Sequence, residues 1–187
     1  KNAGNTPEER KAAQDAQQAA EKAAQTLGTG PPRFLGLPDQ RLDTLPFLDI
    51  VRLIEKVVAD VRPEIVYTHH SNDLNRDHRI VHDAVLTACR PLPDSSVTLI
   101  RCFETLSSTN WTSPNSHSNF IPTDFVDITR HLEEKLAALT HYQAEMRAFP
   151  HARSLKAVRA LAAWRGATVG RAAVEAFVCA RRIERLI

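Results

Sequence analysis

The sequence predicts an α/β layered domain with a mainly parallel sheet. Three observations carry that expectation. Apolar residues recur at helical spacing in several stretches, for example at 48, 50, 51, 53, 54, 57 and 58. Between such stretches lie short runs rich in β-branched and aromatic residues, bounded by Pro or polar clusters. The two patterns alternate along the chain, which is the order that lays helices over a sheet.

The elements follow in turn. Thr6 is a natural N-cap, with Pro7 at the first helical position and Glu8 and Glu9 in the first turn, so a helix is expected from there to Leu27, stopped by Gly28. Arg33 to Leu37 reads as a short buried strand after Gly30-Pro31-Pro32. A helix from Leu48 to Val61 and a strand from Glu64 to Thr68 come next, then a polar loop from His69 to Arg76. Asp77 to Cys89 is expected to be helical, with Asp77 as a capping carboxylate, and Val97 to Phe103 a strand. A long Ser/Thr/Asn/Pro loop over 105–122 precedes an extended piece at Phe125 to Ile128. Thr129 to Ala148 reads as one helix capped by Thr129, and Leu155 to Arg185 as a last helical region interrupted near Gly166 or Gly170. On that last helix Arg181, Arg182 and Arg185 would form a solvated face.

With 187 residues the chain is sized for one domain. A formal charge of +2 argues for neither a nucleic-acid nor a membrane-surface partner. The three cysteines, Cys89, Cys102 and Cys179, are widely spaced and odd in number, which suits neither a disulfide framework nor a cysteine zinc site; a cytoplasmic setting is expected. No apolar run approaches the roughly 18 residues that span a bilayer. Because the first residue is Lys1, the chain is expected to be cut from a longer one.

Chemistry concentrates after the Glu64–Thr68 strand, where open α/β sheets place their sites. Residues 68–78 hold His69, His70 and His78 together with Asp73 and Asp77, and imidazole and carboxylate are the usual ligands of catalytic zinc. His82 shares a helix face with His78, but no glutamate follows His78 as in a zincin helix, so His82 is read as structural. A polar loop that merely bonds to itself is the plain alternative at this point.

Here the sequence resembles the LmbE / PIG-L family of deacetylases. Pro63-Glu64-Ile65-Val66-Tyr67-Thr68-His69, followed by Asn72-Asp73-Leu74-Asn75-Arg76-Asp77-His78-Arg79-Ile80-Val81, is similar to that family's second signature. Phe34 to Asp39 with Leu42, Phe103-Glu104-Thr105, and Ser107-Ser108-Thr109-Asn110-Trp111 are similar to its neighbouring segments, in the same order. So are Lys135, Tyr142, Glu145 to Arg147, His151, Arg153-Ser154, Arg165-Gly166 and Glu175 to Phe177.

The resemblance implies a Rossmann-like three-layer sandwich, lacking its first strand here, and a zinc hydrolase that removes an acetyl group from an N-acetylated substrate, commonly an amino sugar. It implies that His78 is one ligand of Zn2+. The family's other two ligands and its general base sit in a His-Pro-Asp-Asp motif that does not occur in this sequence, so the chain by itself is expected to be inactive. Asn75 stands where many relatives have a histidine and is a candidate catalytic residue, offering an amide N–H to an oxyanion. His151 is a second catalytic candidate, as a substrate or transition-state contact. Asp73 and Asp77 are candidates to orient a ligand histidine from behind. His70 and Trp111 are candidate substrate contacts, with an exposed loop histidine and ordinary packing as the alternatives. The expected partner is a small N-acetylated sugar, a homo-oligomer being allowed for. A non-catalytic sugar-binding module on the same fold is the rival reading, and a nucleotide-sugar enzyme a weaker third, no Gly-rich phosphate loop being present.

Overall fold

The computed structural model describes residues 6–113 and 119–184. Along the chain run α1 (Pro7–Thr26), α2 (Phe47–Val61), β1 (Ile65–His69), α3 (Arg76–Ala88), β2 (Leu99–Phe103), β3 (Asp124–Asp127), α4 (Leu132–Leu139), α5 (Leu155–Ala167) and β4 (Val174–Arg182). They fall into two compact units, Lys1–Leu35 with Asp127–Val174, and Gly36–Val126 with Glu175–Ile187.

In the first unit, α1 begins with a complete capping box. Thr6 Oγ1 accepts from the Glu9 N–H while the Glu9 carboxylate accepts from the Thr6 N–H. Ala19 and Ala23 are its buried residues, and it packs on α4, where Leu136 and Ala138 are buried. Thr26 Oγ1 lies 2.8 Å from His141 Nε2 just beyond α4. Ser154 caps α5 by accepting from the Ala157 N–H at 3.1 Å. The chain then turns so closely past Gly166 that a Cβ there would lie 2.5 Å from the Arg171 carbonyl oxygen. Only glycine fits that approach.

The second unit holds the sheet, in the order β1-β2-β4-β3. β1 and β2 are parallel, with Val66 opposite Ile100, Thr68 opposite Cys102 and His69 opposite Phe103. β2 and β4 are antiparallel. Bonds from Thr123 to Phe177 and from Ile128 to Ala173 run in opposite senses of numbering, so β3 is antiparallel to β4 as well. The α/β class is as expected, but the sheet is mostly antiparallel rather than mainly parallel. Helices α2 and α3 pack on each other around Leu42, Ile50, Val51 and Ala84. A second cluster of Val85, Cys89, Val97 and Ile100 carries α3 onto the sheet.

Several expected elements are corrected. Residues 33–37 form no strand; Phe34 and Leu35 are exposed, and no neighbouring strand pairs them among the described residues. The helix expected over 129–148 is only α4. Thr129 caps nothing there, its N–H going to Asp127 Oδ1, and the helix ends where Thr140 Oγ1 bonds the Ala137 carbonyl. The last helical region stops at Ala167, and Val174–Arg182 is strand β4, so Arg181 and Arg182 do not share a helix face; Arg185 lies outside the described residues. Val, Phe and Cys at 174, 177, 178 and 179 suit a strand paired with β2.

Candidate functional site

The parallel pairing of β1 and β2 brings their C-terminal loops together. At the centre sits Asp73, with no exposed surface. It accepts hydrogen bonds from Ser108 Oγ, from Thr109 Oγ1 at 2.7 Å and from the Asn75 N–H at 2.9 Å. Burial by itself would raise its carboxyl, but His78 and these donors outweigh it and hold the group well below the usual carboxylate range. Asp73 is therefore a permanent buried anion. Arg79 donates to the carbonyls of Asp73 and Leu74 at 2.7 and 3.1 Å, fixing the loop's backbone.

Asn75, not Asp77, caps α3: its Oδ1 accepts from the Asp77 N–H at 2.8 Å. That leaves the Asn75 NH2 as the group for any oxyanion contact. The Asp77 carboxylate accepts instead from the Leu42 N–H at 3.1 Å, tying the start of α3 to the turn before α2. Of the two expected orienting carboxylates, the one beside His78 is Asp73. His78 Nδ1 lies 3.1 Å from Asp73 Oδ1, inside ion-pair reach but without the angle of a formed hydrogen bond.

The His78 ring stacks on His69, centroids 3.9 Å apart and planes at 17°. His69 leans in turn on Phe103, at 4.8 Å. Burial, then the nearby His78, pushes the His69 imidazole down to about 4, so it is neutral at pH 7. His82 is buried and its Nδ1 lies 2.8 Å from the His69 carbonyl oxygen, the structural role expected of it. Cys102 lies 3.7 Å from the same Nδ1, and burial pushes its thiol up to about 11, which removes it as a nucleophile.

His70 is not an exposed loop histidine. It is 5% exposed, its Nδ1 accepts from the Asn72 N–H at 3.2 Å, and Phe120 meets it edge-on. Burial lowers its pKa. Trp111 is 53% exposed on a single 3-10 turn, and its N–H and that of Leu74 both reach the Ser108 carbonyl. His151 belongs to the other unit, where its Nδ1 accepts from the Arg153 N–H at 3.0 Å.

Sequence reasoning placed His69 in this loop without giving it a role, and missed Arg79, Ser108 and Thr109 as members of the cluster. The signal for the last two was topological: loops after adjacent parallel strands meet, so the serine-rich turn after β2 was placed to satisfy a carboxylate after β1. Among the described residues no three His, Cys, Asp or Glu side chains form a group that could hold a metal ion. A catalytic zinc needs three protein ligands, so the described residues do not by themselves make up such a site.

Residues 1–89 match the family model PIG-L, GlcNAc-PI de-N-acetylase, a stretch that includes β1, the Asp73 loop and α3. No curated protein matches the chain in sequence. Among solved structures it is similar to the N,N'-diacetylchitobiose deacetylase of Pyrococcus horikoshii, with TM-score 0.70 and 16% identity over 96% of this chain and 68% of that one. It is similar to GalB, the 4-carboxy-2-hydroxymuconate hydratase of Pseudomonas putida, with TM-score 0.71 and 19% identity over 100% of this chain and 79% of that one. A conserved protein of Thermus thermophilus gives TM-score 0.69 and 19% identity over 97% and 77%. These likenesses establish a shared fold. The likeness to the PIG-L family, described as GlcNAc-PI de-N-acetylase, rests on residues 1–89, just under half of the chain.

Proposed function

We propose that this chain works in an N-deacetylase, a hydrolase that removes the acetyl group from an N-acetylated amino sugar or glycoconjugate, with Zn2+ as cofactor and His78 as one ligand. The observation that carries this reading is a buried anion, Asp73, 3.1 Å from Nδ1 of His78 at the end of β1, inside the stretch that matches the de-N-acetylase family. A metal-ligating histidine characteristically has a carboxylate or carbonyl behind its other ring nitrogen. Asp73 stands in that place, which would leave Nε2 for the cation. The remaining ligands would come from polypeptide other than the described residues. Zinc, when bound, supplies acidity to a water and polarises the acetyl carbonyl.

The chain's own residues divide the other work. The Asn75 amide would donate to the oxygen on which charge develops. Trp111 would pack its exposed ring against the sugar. His70, with Nδ1 engaged by Asn72, would offer substrate only Nε2. Asp77, bonded to Leu42, would hold the helix start that carries His78. The free cysteines fit the cytoplasmic setting. The fold also serves a hydratase, so it does not choose the reaction; the family match over the same loop favours the deacetylase.

The test is acetate release from N-acetylated sugars by the full-length protein, with and without Zn2+. His78→Ala should lower the rate more than about 100-fold. Sugar binding with no zinc-dependent acetate release would replace this reading by the sugar-binding module.

A further inference from the structure

We infer that His69 is the positioning residue for the His78 imidazole, a role that rests on reading His78 as the functional group of this loop. Three contacts meet at His69. Its ring lies on the His78 ring at 3.9 Å and 17°. Its other neighbour is Phe103, directly opposite in the parallel pairing of β1 with β2, at 4.8 Å and 60°. Its carbonyl oxygen is held by His82 Nδ1 at 2.8 Å. His78 and His82 stand four residues apart on α3, hence on one face of the helix. That face therefore presents His78 and also grips the strand end that carries the ring stacked on it.

The geometry leaves His78 dependent on this stack. Asp73 approaches one edge of the imidazole without forming an aligned hydrogen bond, so it limits the edge but not the tilt of the plane. A flat neighbour at 3.9 Å limits the tilt. Nδ1 of both histidines is buried, so water does not orient either ring through that atom. Nδ1 of His69 finds no hydrogen-bond partner among the described residues, so what the position uses is a flat ring, and phenylalanine would supply one without that nitrogen.

The experiment is NMR on the metal-free chain, comparing the parent, His69→Phe and His69→Ala. It reads the χ1 couplings of His78 and the chemical shifts of its ring protons, which a stacked ring moves upfield. The parent and H69F should show one His78 rotamer and the upfield shift. H69A should lose the shift and show averaged couplings while Asp73, Ser108 and Thr109 signals stay in place. A single unshifted-in-angle rotamer retained in H69A would overturn the proposal, and so would loss of that rotamer in H69F, which keeps the test decisive should H69A fail to fold. Zinc-dependent acetate release does not enter the measurement. A held His78 in a protein that releases no acetate would sink the deacetylase reading alone, and a freely tilting His78 in an active one would sink only this inference.

Discussion

Asp73, itself without exposed surface, receives two hydroxyls and one backbone N–H and has His78 beside it. Its carboxyl titrates lower in the folded than in the unfolded chain, so its stabilisation is full above about pH 4 and is lost as pH falls below that value. Asp73→Ala would leave Ser108, Thr109 and the Asn75 N–H without their acceptor, and urea unfolding should show a loss of about 3 kcal/mol at pH 7. His69 gives a second dependence in a higher window. Its folded value near 4 lies below an ordinary value of 6.5, so the unfolded chain binds more protons between the two. Stability of the metal-free chain should therefore fall by on the order of 2–3 kcal/mol as pH drops from 7.5 to 4. Urea midpoints across that range check it: His69→Phe should flatten the slope, and an unchanged slope would refute the assignment.

At the scale of elements, termini carry most of the information that the sequence made legible. Thr6, Pro7 and Glu9 announce α1 because capping is local chemistry, complete within four residues. The cap of α3 lies two residues before the expected one, since both Asn75 and Asp77 are good caps and only the Leu42 N–H decides that Asp77 is occupied elsewhere. The stop after α5 is sharper than the two glycines suggested. At Gly166 the returning backbone leaves no room for a methyl group. Gly166→Ala should cost about 2 kcal/mol or more, measured as a lowered thermal midpoint, whereas an exposed helical glycine would gain from the same change.

For the whole molecule, β4 matters most, because it joins β2 on one side and β3 on the other. Phe177, 5% exposed on β4, packs against Tyr67 at 5.2 Å and under the Arg101 guanidinium, which also bonds Asp124. Phe177→Ala should remove about 3–4 kcal/mol and lower the urea midpoint. The segment was read as helix because Val, Ala and Arg allow both periods over a short span, and the partner that settles the matter lies some seventy to eighty residues away.

By itself the sequence determined the α/β class, the helices with local caps, the strand ending in a His/Asp loop, and His78 and Asp73 as residues of interest. Those features depend on period, capping and motif, all of which act within a few residues. Only the tertiary structure decided the antiparallel sense of β4, which carboxylate stands behind His78, that the His69 ring stacks on His78, and that Ser108 and Thr109 belong to the same cluster. Each of these depends on which strands become neighbours, and strand pairing is set by contacts that chain position alone does not contain.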